Sequence, residues 1–354
     1  MLQTCRARSS TSASGLRTIG SSRIQALWSA IKSAPRSRNV SNSSGSAGHA
    51  LYVDRGVVVV NKPPDVVCQY NRKKAEMVRL CSSARTLIDT LHSLVDLKGV
   101  LQLNADPFPV HRLDKATTGA LVLALTQHHA RDLAQQFQKH LVEKTYVAVV
   151  RGGAQSFPEK AGSLRHAHYI DEDGRVSLQP RNQKGKRAIA ETDWEVVASS
   201  PIVPLTLVKL RPYTGFKHQL RLETAMIMKA PILGDHLYAS AKLSPKITDV
   251  ARISDDDLYL HSSRLTFDRY CKSGRRARVS VGAPLPSNFV RLCHLSRIPL
   301  EDDIVHGGLW INGKRVGQSE SDQHQAAAEP AVAEQDDELP GSILDQLGGR
   351  WVNH

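Results

Sequence analysis

Apolar positions along this 354-residue chain fall into short runs and alternations more often than into long helical stripes. Residues 57–60 form a β-branched run that stops at Asn61-Lys62-Pro63-Pro64, as a strand does where proline removes a ladder donor. Over 74–97 the apolar spacing becomes helical. A second apolar run closes the stretch 108–126, FPVHRLDKATTGALVLALT, after which Ala130, Leu133, Ala134, Phe137 and Leu141 share one helical face. Residues 144–150 alternate as a strand and end at Gly152-Gly153. Further strands are predicted at 194–197, 205–210, 259–266 and 277–281, and helices at 217–228 and 286–295. The polar, Gly/Lys-rich stretch 154–186 predicts a hairpin or a long loop, and Asn312-Gly313 between short apolar pieces predicts a hairpin turn. Strands dominate, without the regular alternation of a doubly wound parallel sheet, so the fold class is α+β.

The two ends differ from the middle. Residues 1–48 are rich in Ser, Arg and Ala, and the first acid of the chain is Asp54. Within them Ile24, Leu27, Trp28 and Ile31 recur at helical spacing beside Arg23 and Lys32. This composition predicts a mitochondrial transit peptide and a matrix location; a disordered basic arm that adds RNA affinity, in a cytoplasmic or nuclear protein, is the alternative. From 316 to 354 an alanine, acid and glutamine bias predicts a disordered acidic tail. The expected organisation is therefore a leader or arm at 1–48, a folded domain at 49–303, a short hairpin extension at 304–315, and the tail. No run of eighteen apolar residues occurs, so no membrane span is predicted.

Charge and cysteine usage narrow the partners. The net charge is +13, and the basic N-terminal 50 residues cancel the acidic C-terminal stretch, so the excess belongs to the folded middle. Phosphate neutralisation is the commonest use of such an excess, which favours nucleic acid over a small neutral substrate. Five cysteines lie far apart with no paired spacing, as in a reducing compartment.

Candidate chemistry centres on Asp114, set between Arg112 and Lys115. Cations on both sides hold an aspartate ionised, as a nucleophile or base requires, although a charged surface turn reads the same in isolation. Serine nucleophile elbows, phosphate-cradling loops and dinucleotide fingerprints are absent, and the histidines show no ligand spacing backed by carboxylates, so no metal is expected. What remains is the flanked aspartate, a Lys144-x-Tyr146 strand and a helix on which His218 and Arg221 are three apart. A carboxylate, an aromatic and a guanidinium together suit a base drawn out of a nucleic-acid stack.

Four separated motifs carry a resemblance to the RluA-type pseudouridine synthases. The family's HRLD-x-x-T-S-G element stands as HRLDKATTG at 111–119, its K-x-Y strand as Lys144-Thr145-Tyr146, and its T-G-R-x-H-Q-I/L-R helix as TGFKHQLR at 214–221, followed by PILGDHLY. Asn61-Lys62-Pro63 matches the N-K-P segment, and Leu260-His261 the late L-H-A/S strand. The resemblance covers roughly 51–295. It implies the pseudouridine synthase catalytic fold, a central, mostly antiparallel mixed sheet flanked by helices and loops. It implies Asp114 as the catalytic aspartate attacking a flipped uridine at the anomeric carbon or at ring carbon six. Tyr146 would pack on the flipped base, Arg221 would pair with Asp114 through a bidentate fork, and Arg112 would help hold the flipped nucleotide. His111 is left as a structural or positioning residue. No cofactor or metal is implied. The partner is structured RNA, mitochondrial large-subunit rRNA first and tRNA second, bound by an expected monomer.

Departures from the pattern bear on RNA docking. Phe216 replaces a motif arginine, Leu222-Glu223 replace Val-His, Lys229-Ala230 stand where Gly-His is common, and Asp65 stands where a glycine often follows Lys-Pro-Pro. An arginine lost and Glu223 gained predict weaker phosphate contact on that face. Two other readings compete: a non-catalytic RNA-binding or ribosome-assembly protein of the same fold, and a hydrolase of free nucleosides, which the basic core fits poorly.

Overall fold

The computed structural model describes residues 50–68, 107–172, 175–180, 185–239, 242–250, 253, 257–317 and 339–351. The helical spacing at 74–97, the basic amphipathic stretch around Trp28, and residues 173–174 and 181–184 of the polar stretch 154–186 lie outside the described residues.

The β-branched run becomes strand β2 (Val57–Lys62), paired antiparallel with β1 (Ala50–Val53). The opening motif supplies β3 (Phe108–Pro109) and β4 (Thr118–Ala124), with helix α1 (Gln127–Gln138) behind them. Then come β5 (Glu143–Arg151), β6 (Ala161–Ile170), β7 (Val176–Ser177), β8 (Lys186–Ser199) and β9 (Leu205–Pro212). Helices α2 (Gln219–Met226) and α3 (Pro245–Val250) follow, before β10 (Leu260–Tyr270) and β11 (Arg276–Gly282). The chain continues through α4 (Ser287–Leu295), α5 (Asp302–His306), β12 (Gly308–Ile311) and β13 (Lys314–Arg315), and the described part ends with α6 (Pro340–Leu347) and β14 (Arg350–Trp351).

All described strands join one sheet, ordered β14-β1-β2-β4-β10-β5-β9-β8-β6-β7, with β11, β12 and β13 branching from β10 and β3 from β4. Its one parallel contact among the described residues, β4 beside β10, sits at the centre. This is the α+β, mostly antiparallel mixed sheet that the sequence predicts.

The central strands are buried on both faces, which is why they read as continuous apolar runs. Val58, Val60, Tyr146, Ala148 and Val150 point to one face, and Val57, Val59, Val147 and Val149 to the other. The alternation read at 144–150 therefore separates two cores instead of core from solvent. α1 covers the second face through Leu133 and Phe137, but Leu141 lies beyond its end and is exposed.

The stretch 154–186 takes the hairpin alternative, with β6 pairing along its whole length with β8. Two expectations change. The Asn312-Gly313 turn forms with both residues at positive φ, yet β12 pairs with β11 and so extends the main sheet. The predicted disordered tail fails at 339–351: Ile343, Leu344 and Leu347 of α6 enter the core and β14 pairs with β1. A short amphipathic segment inside a long biased stretch is diluted in any composition window, so burial against β1 outweighs the bias.

Candidate active site

The segment 111–117 is a loop between β3 and β4, tied down at several points. Buried Lys62, at the end of β2, donates from Nζ to the carbonyls of Pro63, Val66 and Lys115, and burial lowers its pKa to about 8. His111 stacks on Phe137, with centroids 4.6 Å apart, and its Nε2 accepts from the Val122 N–H at 3.0 Å. An accepting Nε2 requires a neutral ring, and burial accordingly holds the His111 pKa down to about 3. Gly119 ends the motif at φ 109, where a Cβ would lie 2.3 Å from the Ser262 carbonyl oxygen across the parallel β4–β10 contact.

These restraints put Asp114, a residue with a 16 % exposed side chain, in the wall of a cavity of about 400 Å3. Arg112, Tyr146 and Arg221 line the same cavity, so the structure brings all four predicted site residues together. Arg112 is exposed at the rim and forms no hydrogen bond or ion pair among the described residues. Tyr146 is buried in β5; burial, reinforced by Asp114, raises its phenol and keeps it neutral. Lys144, two residues before it, donates to the Thr214 carbonyl at 2.7 Å and to that of Tyr213, pinning the loop before α2. The same loop is set by Gln219, whose Oε1 accepts from Thr214 Oγ1 and the Phe216 N–H.

The electrostatics differ from the predicted pattern. Lys115 faces Asp65 at 3.5 Å instead of Asp114, with both side chains exposed. The bidentate fork of Arg221 goes to Asp235: Nε to Oδ2 and Nη2 to Oδ1, each 2.8 Å. Only the third nitrogen, Nη1, is turned to Asp114, 3.9 Å from Oδ2. Asp235 is fully buried and also accepts from the N–H groups of Leu237 and Tyr238. Burial alone would raise its carboxyl, but Arg221 and these amides hold it below the usual range. Asp235 and Lys62 are the charged residues that sequence reasoning missed here. Each stood in a recognised motif, PILGDHLY and Asn-Lys-Pro, without an assigned partner.

His218 also meets Asp114, with Nε2 3.9 Å from Oδ1. It precedes α2 with φ 55, so its side chain leaves the helix frame that sequence spacing assumed. Its Nδ1 lies 3.1 Å from the Tyr238 hydroxyl, and burial lowers its pKa against the pull of Asp114. Tyr238 stands under the Arg221 guanidinium, 5.4 Å from the ring centroid.

Among the departures, Asp65 adopts φ 64, a backbone state that glycine reaches without cost. Glu223 is 1 % exposed and faces inward, so it does not confront a docked phosphate; burial pushes its carboxyl up to about 7.

The RNA pseudouridylate synthase family model matches residues 56–226. tRNA pseudouridine synthase C of Pasteurella multocida (strain Pm70) is 30% identical over 225 residues, which cover 61% of this chain and 84% of the relative. The mitochondrial pseudouridylate synthase RPUSD4 of Danio rerio is 28% identical over 279 residues, covering 71% and 74%. A solved structure of human RNA pseudouridylate synthase domain containing 4 is similar with a TM-score of 0.54 at 25% identity, covering 72% of this chain and 94% of that one. The chain belongs to the RNA pseudouridylate synthases, in their RluA-type branch. It is an enzyme that isomerises uridine in RNA, and RNA is its substrate.

Proposed function

We propose that Asp114 is the nucleophile that attacks a uridine flipped into the cavity. The observation that carries this reading is that Asp114 is the one carboxylate among the described lining residues, set among Arg112, Lys144, Lys217 and Arg221. Cations that surround a single carboxylate attract the phosphates of the entering strand toward the nucleophile. Attack is at the anomeric carbon of the ribose or at ring carbon six. By either route the bond from ribose to ring nitrogen breaks and that nitrogen gains a proton, the uracil turns, the anomeric carbon bonds to carbon five, the bond to Asp114 breaks and restores its carboxylate, and carbon five gives up its proton.

Tyr146 packs on the flipped base, and Arg112 at the rim retains the flipped nucleotide. Arg221 stabilises Asp114 through Nη1 while Asp235 fixes its orientation. Clustering of this set around one cavity argues against a purely RNA-binding role, which needs no carboxylate in the cavity wall. Asp114→Asn is expected to lower pseudouridine formation by a factor on the order of 10³ or more while RNA binding and thermal stability stay near wild type. Carbodiimide probing of RNA from cells expressing each form is the readout. Identical pseudouridine maps would sink the enzyme assignment of Asp114.

The target we propose is mitochondrial large-subunit rRNA, with tRNA second, and the enzyme acts as a monomer. RPUSD4 is named as mitochondrial and the Pasteurella relative as acting on tRNA. The basic, acid-free residues 1–48 support import. A tagged protein lacking them that still reached mitochondria would contradict this assignment.

A further inference from the structure

Away from the cavity, His166, His168 and Glu223 bring three ligand-type side chains together. The two histidines are two apart on β6 and so share its inner face. β8 holds that strand in register, and Glu223 meets it from α2. The His166 and His168 Nε2 atoms are 3.0 Å apart, and His166 Nε2 is 3.7 Å from Glu223 Oε1. All three ligand atoms lie within 4.8 Å of one another. His168 and Glu223 are fully buried, whereas 17 % of the His166 side chain reaches solvent and leaves a path inward.

These side chains do not satisfy one another. Two facing Nε2 atoms can share only one proton, and neither oxygen of Glu223 receives a hydrogen bond. Thr192 and Gln219 are the polar side chains beside Glu223; Gln219 Nε2 donates to Thr192 Oγ1 at 2.9 Å, and neither side chain reaches hydrogen-bond geometry to the carboxylate. Buried polar atoms without partners are costly and uncommon, so a buried carboxylate facing two imidazole nitrogens calls for a positive charge between them.

We propose that His166 Nε2, His168 Nε2 and one Glu223 oxygen bind a divalent transition-metal ion, zinc in the first instance, as a strut between the β6–β8 hairpin and α2. Two imidazoles and a carboxylate form a donor set that suits zinc, whereas magnesium and calcium take oxygen shells. An ion about 2.1 Å from each donor subtends roughly 90° across the histidine pair and roughly 125° between His166 and Glu223. Closing the set on one ion takes a shift of at most about 0.6 Å, and water supplies the fourth ligand. Neither histidine Nδ1 has a hydrogen-bond acceptor. Without those outer partners, affinity falls below that of a closed structural zinc site. Glu223 is two residues beyond Arg221, so the ion braces the helix that presents Arg221 to Asp114 without touching substrate.

The test uses the full-length protein, purified without a histidine tag. Zinc is counted by elemental mass spectrometry, cobalt binding is read from its visible absorption band, and melting is followed with added zinc and with EDTA. One equivalent of metal is expected, with a tetrahedral-type cobalt band. Tm should rise on the order of 5 °C at a hundredfold excess of zinc over Kd. All three signals should vanish in His166→Ala and Glu223→Gln, with circular dichroism verifying that the variants are folded. His166 is partly exposed, so its variant retains the fold if Glu223→Gln does not. Substoichiometric zinc with no cobalt band, or signals unchanged in His166→Ala, overturns the proposal.

Discussion

Asp235 decides how the pocket's charges divide. It takes both forked nitrogens of Arg221, leaving one nitrogen for Asp114, so the guanidinium serves two carboxylates with unequal geometry. Removing a partner from a buried pair leaves an uncompensated charge, which costs more than the pair is worth. Asp235→Ala should therefore destabilise the protein by about 3–5 kcal/mol in urea unfolding. It should also cut kcat far more than RNA affinity, because Arg221 loses its aim. A variant with wild-type kcat would remove Asp235 from any positioning role. The sequence marked Asp235 only as part of a turn-rich motif. An aspartate in such a turn usually bonds its own backbone, and this one does so at Leu237 and Tyr238. Nothing in its spacing announces the longer reach to Arg221.

At the scale of elements, the clearest case is α6, which closes the sheet face opposite the cavity. Leu347 is 1 % exposed and packs with Ile343 and Leu344 into the cluster containing Val57, Val59 and Val122. Arg55 adds a hydrogen bond to the Gln346 carbonyl. Leu347→Ala should cost about 2–5 kcal/mol and lower Tm by on the order of 5 °C or more, since it leaves a cavity in a closed core. Pseudouridine formation at a temperature where the variant stays folded should be unchanged, because the helix is across the sheet from Asp114. A loss of activity there would show that α6 reaches the pocket mechanically. The hairpin β6–β8 illustrates the reverse difficulty. Its polar sequence suited a loop equally well, and the pairing with β8 is what turns its inner face toward α2.

For the whole molecule, burial of neutral histidines makes stability depend on acidity. His111 is held at about 3 and His261 at about 4, both chiefly by burial. Each ring is neutral in the fold, His111 accepting from Val122 and His261 lying 2.8 Å from Thr118 Oγ1 and 3.2 Å from the Ala283 carbonyl oxygen. The unfolded chain takes up their protons near pH 6.5, so their contribution is present above that value and is lost as pH falls toward the folded pKa values. Each histidine then costs about 1.4 kcal/mol per pH unit. Glu223, pushed up to about 7, works in the opposite direction and offsets part of this. Urea unfolding at pH 7.5 and pH 5 should show a net loss of roughly 1–2 kcal/mol. A flat profile would mean that these rings are hydrated in the fold.

The sequence by itself determined the strand-rich α+β class and most strand positions, and it singled out Asp114, Arg112, Tyr146 and Arg221, which line one cavity. Apolar runs and turn residues act locally, and the motifs keep their spacing wherever the chain goes. It also marked the basic excess that suits an RNA substrate. Only the tertiary structure decided which charges meet. Lys115 sits next to Asp114 in sequence yet pairs with Asp65, while Lys62 reaches the Lys115 carbonyl from β2. His166 and His168 gain Glu223 from more than fifty residues away. Pairing of side chains depends on strand register and on how a helix lies across a sheet. Those are set by burial of the whole apolar surface, which no local pattern encodes.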